Sequence, residues 1–171
     1  MQPIYTQTVG AGGVINITFN NIPQTFTDLK VVASTRSTGS SLDGIYLVPN
    51  PGGSTAFSTT AIYGSGSLGT GSYRSSNTSA GAFGTENGSG STANTFTNIE
   101  AYIPNYAGSN FKSWISDSVS EDNSSGGQAT IRMFATLFRS TAAITSITIS
   151  NDSGTNFAQH STFTLYGITK G

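Results

Sequence analysis

The chain predicts an all-β fold: an antiparallel β-sandwich, jelly-roll or related Greek-key, of about nine strands. Two observations predict it. Apolar residues recur with a period of two, in runs rich in Val, Ile, Phe and Thr that Gly, Asn, Asp and Ser punctuate. No segment sustains a 3.6-residue period. A length of 171 residues suits a single domain, 1–171.

The strands follow in order. In 14–19, Ile15, Ile17 and Phe19 share a face. In 29–33, Leu29, Val31 and Ala33 fall together. The apolar run 45–48 stops at Pro49-Asn50-Pro51-Gly52-Gly53. A strand at 57–63 comes next. In 96–103, Thr97, Ile99, Ala101 and Ile103 oppose Phe96, Asn98, Glu100 and Tyr102. In 111–119, Phe111, Ile115 and Val119 oppose Trp114. In 131–138, Ile131, Met133, Ala135 and Leu137 oppose Arg132, Phe134 and Phe138. Ile147 and Ile149 pair in the next strand, and Phe163 and Leu165 in the last, opposite Tyr166 and Ile168.

The stretch around 64–95 departs from this pattern. It is rich in Gly, Ser, Thr and Asn, with Tyr73 and Phe83 as its only aromatics. It reads as a long loop, either a surface excursion or an arm that touches a partner. Several strands are apolar on both faces. That reflects either ordinary surface exposure or a sheet face buried against another subunit.

Composition narrows the function. Ser and Thr supply 51 residues, against seven basic and eight acidic ones. A typical soluble domain is about a quarter charged; this chain is 9% charged, with a net charge of −1. There is no cysteine, which excludes disulfides and thiolate metal sites. The basic residues are scattered, so there is no stripe for nucleic acid and no basic amphipathic face for a membrane. No apolar run has the length of a spanning helix. Met1-Gln2-Pro3-Ile4-Tyr5 lacks the charged and apolar regions of a secretory signal.

Motifs for chemistry are weak. His160 stands alone and reads as a turn residue. Asp117-Ser118-Val119-Ser120-Glu121-Asp122-Asn123 is the densest acidic stretch, but it lacks EF-hand spacing and leads into a Gly126-Gly127 turn. No serine sits in a nucleophile elbow. Glu100, in mid-strand, is either at an edge or paired with a cation. Gly64-Ser65-Gly66-Ser67-Leu68-Gly69 matches a phosphate loop by letters, but no helix start follows it. The expectation is therefore no catalytic residue, no metal, no cofactor and no enzyme. Tyr63, Tyr73, Tyr102, Tyr106 and Trp114 remain as candidate interface or glycan-contact aromatics, with core packing as the alternative for each.

Three stretches carry a family resemblance. They are Phe19-Asn20-Asn21-Ile22-Pro23-Gln24-Thr25-Phe26-Thr27-Asp28-Leu29, Ile99-Glu100-Ala101-Tyr102-Ile103-Pro104-Asn105-Tyr106-Ala107-Gly108-Ser109, and Ser161-Thr162-Phe163-Thr164-Leu165-Tyr166-Gly167-Ile168. With them the chain resembles small structural proteins of tailed bacteriophages, especially those of aquatic and cyanobacterial phages. The resemblance implies a β-sandwich on the outer surface of the virion, made in the host cytoplasm. Longer members of such families carry the sandwich as a fibre tip behind an attachment segment. Here strands run from about Ile4 to Ile168, so a capsid decoration or cement protein is expected. It would be a homotrimer that contacts itself and the major capsid protein or other virion proteins. The alternative is a tail-associated fibre or receptor-binding module that recognises host surface glycans. The motif residues read as structural: Pro23 and Asp28 frame a turn, Pro104 stops a strand, Tyr106 caps the sandwich end, and Gly167 leaves room for an aromatic ring or a close strand.

Overall fold

A computed structural model describes residues 1–66, 69–123 and 129–169. Among the described residues the predicted alternation becomes twelve strands rather than nine, with no helix. They are β1 (Gln2–Thr8), β2 (Asn16–Phe19), β3 (Asp28–Thr35), β4 (Asp43–Pro49), β5 (Phe57–Ser65), β6 (Gly69–Thr78), β7 (Gly81–Glu86), β8 (Thr97–Ile103), β9 (Lys112–Ser120), β10 (Thr130–Phe138), β11 (Ile147–Asn151) and β12 (Thr162–Ile168).

Two antiparallel sheets result. The large one has the order β1-β12-β3-β8-β9-β10-β5-β6 and the small one β2-β11-β4-β7. The small sheet together with β3, β10, β5 and β6 reproduces the strand interleaving of a jelly roll. The β8–β9 hairpin is inserted between β3 and β10, and β1 with β12 extends the other side. Alternate residues of most strands fill the space between the sheets: Ile17 and Phe19, Ile45 and Leu47, and Ile147 and Ile149 from the small sheet meet Leu29, Val31, Ile99 and Leu165 from the large one.

The expected loop around 64–95 is corrected by the structure, because β6 and β7 lie within it. Of the apparent phosphate loop, Gly64 and Ser65 close β5 and Gly69 opens β6, with Ser65 paired to Gly69; Ser67 and Leu68 lie outside the described residues. Ile15, expected to share a face with Ile17 and Phe19, precedes β2 and is exposed. His160 is a turn residue with a φ of 74°, its N–H bonded to the Val9 carbonyl. The Gly126-Gly127 turn lies outside the described residues.

The three stretches that carry the resemblance meet at one corner of the sandwich. The buried Tyr106 donates its hydroxyl to the Pro23 carbonyl. Asp28 accepts from the Tyr102 hydroxyl at 2.6 Å and from the Asn105 N–H at 2.8 Å. Asn105, at φ 49°, turns the chain after β8. Phe26 lies on Gly167, where a Cβ would stand 2.3 Å from the ring. Gln24 ties the corner down by donating to the carbonyls of Ile22 and Ile144.

Candidate functional site

Strand β7 accounts for four of the buried hydroxyls, Thr59, Ser116, Ser118 and Thr136. It pairs with β4 on one side only, yet all six of its residues are buried. Its open edge faces the inner surface of the large sheet, where side chains replace a strand partner. The Trp114 indole donates to the Ala82 carbonyl at 3.1 Å. Thr136 and Ser116 reach the same oxygen at 3.4 and 3.5 Å. Thr59 accepts from the Ala82 N–H and Ser118 from the Thr85 N–H. Buried backbone groups need such partners. Serine and threonine supply them without placing charge in the core.

The outer surface of the large sheet is the first candidate site. The strand register places Ile131 beside Val119, Met133 between Asp117 and Ile62, and Ala135 between Ile115 and Thr60. Ile62, Ile115 and Ile131 are 57%, 59% and 61% exposed, and Val119 and Met133 are exposed with them. An apolar stripe thus crosses β9, β10 and β5. Asp117 interrupts it on β9, between Ile115 and Val119, and charge flanks it on both sides. On one, Glu100 sits opposite Asp117 and pairs with Lys30 at 2.8 Å. Burial, then the Glu100 charge, push the Asp117 carboxyl above its ordinary pKa, against the pull of Lys30. On the other side, Arg74 of β6 stands opposite Thr60.

A cleft beside β7 is the second candidate. The large sheet is wider than the small one, so the inner faces of β5 and β6 extend past the β7 edge. Tyr73 from β6 and Tyr46 from β4 flank this cleft, with Ala82 and Asp152 also lining it. Burial, then the neighbouring Asp152 carboxylate that the hydroxyl faces, push Tyr46 up to about 12. Arg132 lies over the Tyr63 ring at 5.2 Å.

The five expected aromatics therefore separate. Trp114 and Tyr106 are buried structural residues, which matches the core alternative for both. Tyr102 sits on the outer face, its hydroxyl held by Asp28. Tyr63 is half-buried beneath Arg132, and Tyr73 opens to the cleft. Tyr46 and Asp152 were missed by sequence reasoning. The first lies in an apolar run and the second in a turn, and the β4–β11 pairing, continued by the Asp152 N–H to Gly44 carbonyl bond, brings them together.

A buried polar cluster fills one end between the sheets. Glu86 opposes Asp43 in the β4–β7 register, with Thr35 and Asn151 beside its carboxyl. Burial pushes Glu86 up to about 8; Thr35 and Asn151 oppose the rise and the Asp43 charge adds to it. Asp43 in turn accepts from Ser153 and Thr155. The acidic stretch 117–123 is split: Asp117 lies on the outer face of β9, and Asp122, beyond the end of that strand, is buried. Among the described residues no three His, Cys, Asp or Glu side chains converge as a metal site would require. Comparison of the chain with protein-family models, curated proteins and solved structures gives no match.

Proposed function

We propose that the protein is a non-enzymatic structural component of a tailed-phage virion, a decoration or cement protein on the outside of the capsid. The observation that carries this reading is the exposed apolar stripe of Ile62, Ile115, Val119, Ile131 and Met133. A contiguous apolar face bordered by charge is the usual form of a protein-docking surface. It supports docking through the sandwich itself, onto further copies of the chain and onto the shell. Closed symmetry is the general rule for such self-association, and the trimer is the form we expect. The resemblance of the three stretches at the Pro23–Tyr106–Gly167 corner supplies the virion context.

Gold-tagged antibody on intact particles, viewed by electron microscopy, tests the placement. Label spread over the head is the expected result. Label confined to the tail overturns the decoration role and favours the tail-associated receptor-binding module. The solution mass of the purified chain, as a multiple of 17.6 kDa, tests the trimer.

A further inference from the structure

The cleft beside β7 is chemically unlike the apolar stripe. One wall is β6, which presents Tyr73, Ser75 and Asn77; the other is Tyr46 with Asp152. The cavity measures about 470 Å³, within the range of small-molecule sites. It continues past Tyr46, Tyr73 and Asp152 into a second space of about 280 Å³ that Arg132 borders.

We infer that this cleft binds a neutral saccharide, recognised by Tyr46, Tyr73, Asp152 and Arg132. Two tyrosines offer ring surface for the C–H face of a pyranose, together with hydroxyls for its edge. The charges decide the rest. Among the described residues the one ion pair is Lys30–Glu100, so Arg132 and Asp152 face the cleft without a salt-bridge partner. The Arg132 Nε is buried and makes no hydrogen bond. An anion in the cleft would meet Asp152, and a cation would meet Arg132. A purely apolar ligand would desolvate the Tyr46–Asp152 pair and leave the Arg132 Nε without a partner. A sugar hydroxyl donates and accepts at once, so neighbouring hydroxyls of one uncharged ring satisfy the carboxylate and the guanidinium together. The sequence pointed to glycan contact through Tyr63, Tyr73, Tyr102, Tyr106 and Trp114; of these five only Tyr73 lines the cleft, and Tyr46 joins it. The inference is independent of whether the protein sits on a head or a tail.

The test begins with the purified protein on an array of neutral and acidic oligosaccharides. Binders are then titrated by calorimetry at low and high salt. The expected result is a neutral binder whose affinity changes little with salt. Affinity should fall about tenfold or more in Tyr73→Ala and in Asp152→Asn, the loss expected for a hydrogen bond to a charged group or a stacking surface. Thr6→Ala, exposed on β1 at the far edge of the large sheet from β6, should bind as the parent does. Tyr73 is on an exposed edge strand; if its truncation unfolds the chain, Asp152→Asn carries the test. Silence across the array, binding confined to acidic glycans and abolished by salt, or unchanged affinity in both variants each overturns the inference.

Discussion

The indole N–H of Trp114 is bonded to the main-chain carbonyl of Ala82, which ties the large sheet to the open edge of the small one. Gly81 makes the approach possible, because a Cβ there would stand 2.4 Å from the Trp114 ring. Trp114→Phe should therefore lower stability by about 1–3 kcal/mol, since the carbonyl keeps only the two longer hydroxyl contacts. Gly81→Ala should lower it by a similar amount through overpacking. Urea denaturation midpoints of the two variants measure both effects, and parent-like midpoints in both would mean that the β7 seat is not a stability determinant.

The Pro23–Tyr106–Gly167 corner makes a sharper prediction about pairing. Gly167→Ala forces a methyl into the Phe26 ring, which should destabilise by about 1–3 kcal/mol. Phe26→Ala removes the obstacle, so the double variant should be more stable than the sum of the two single losses predicts. A double-mutant cycle reads this coupling directly. Strict additivity would show that Phe26 moves aside without resistance.

Glu86 predicts how stability depends on pH. Its folded pKa is raised from the ordinary carboxyl value of 4.5 to about 8. Below about pH 4.5 the carboxyl is protonated in both states and folding carries no penalty from it. Between about pH 4.5 and 8 the unfolded chain ionises while the folded one holds its proton, so stability falls as pH rises. Above about pH 8 the penalty is complete, on the order of a few kcal/mol. Glu86→Gln cannot ionise, and it should flatten this decline and melt above the parent at pH 8. Melting curves collected across the window test it; parallel parent and variant profiles would show that Glu86 titrates normally in the fold.

Legibility followed the apolar period. Strands β9 and β10 were readable because Trp114 and Phe134 alternate with Ile115, Met133 and their neighbours, and the structure buries one set and exposes the other. Strand β6 was not, because it is an edge of the large sheet with no buried residue and so carries no periodic signal; β1, the opposite edge, was marked only by a strand start at about Ile4. Strand β7 was missed for the opposite reason. It is buried on every side, and its Gly81 and Gly84 answer to Trp114 and Ile99, residues distant in sequence. The cleft shares that difficulty: Tyr46 and Asp152 become neighbours only through the β4–β11 pairing. The apolar stripe was half-readable. Its residues stood on one face in the sequence, but only the order β8-β9-β10-β5 shows that those faces join into one surface.

That surface supports a prediction separating folding from assembly. Ile115 and Met133 point away from the core, so Ile115→Ser and Met133→Ser should each change stability by no more than about 0.5 kcal/mol. If the stripe is the docking face, the same variants should lose self-association, because each removes apolar area from the centre of the contact where binding energy concentrates. Sedimentation velocity reports the assembly, and denaturation reports the fold. Ser72→Ala on β6, beside the stripe, is the control and should leave both unchanged. A parent chain that is monomeric at all concentrations removes self-association through this face. A variant that loses fold and assembly together returns Ile115 and Met133 to ordinary structural duty.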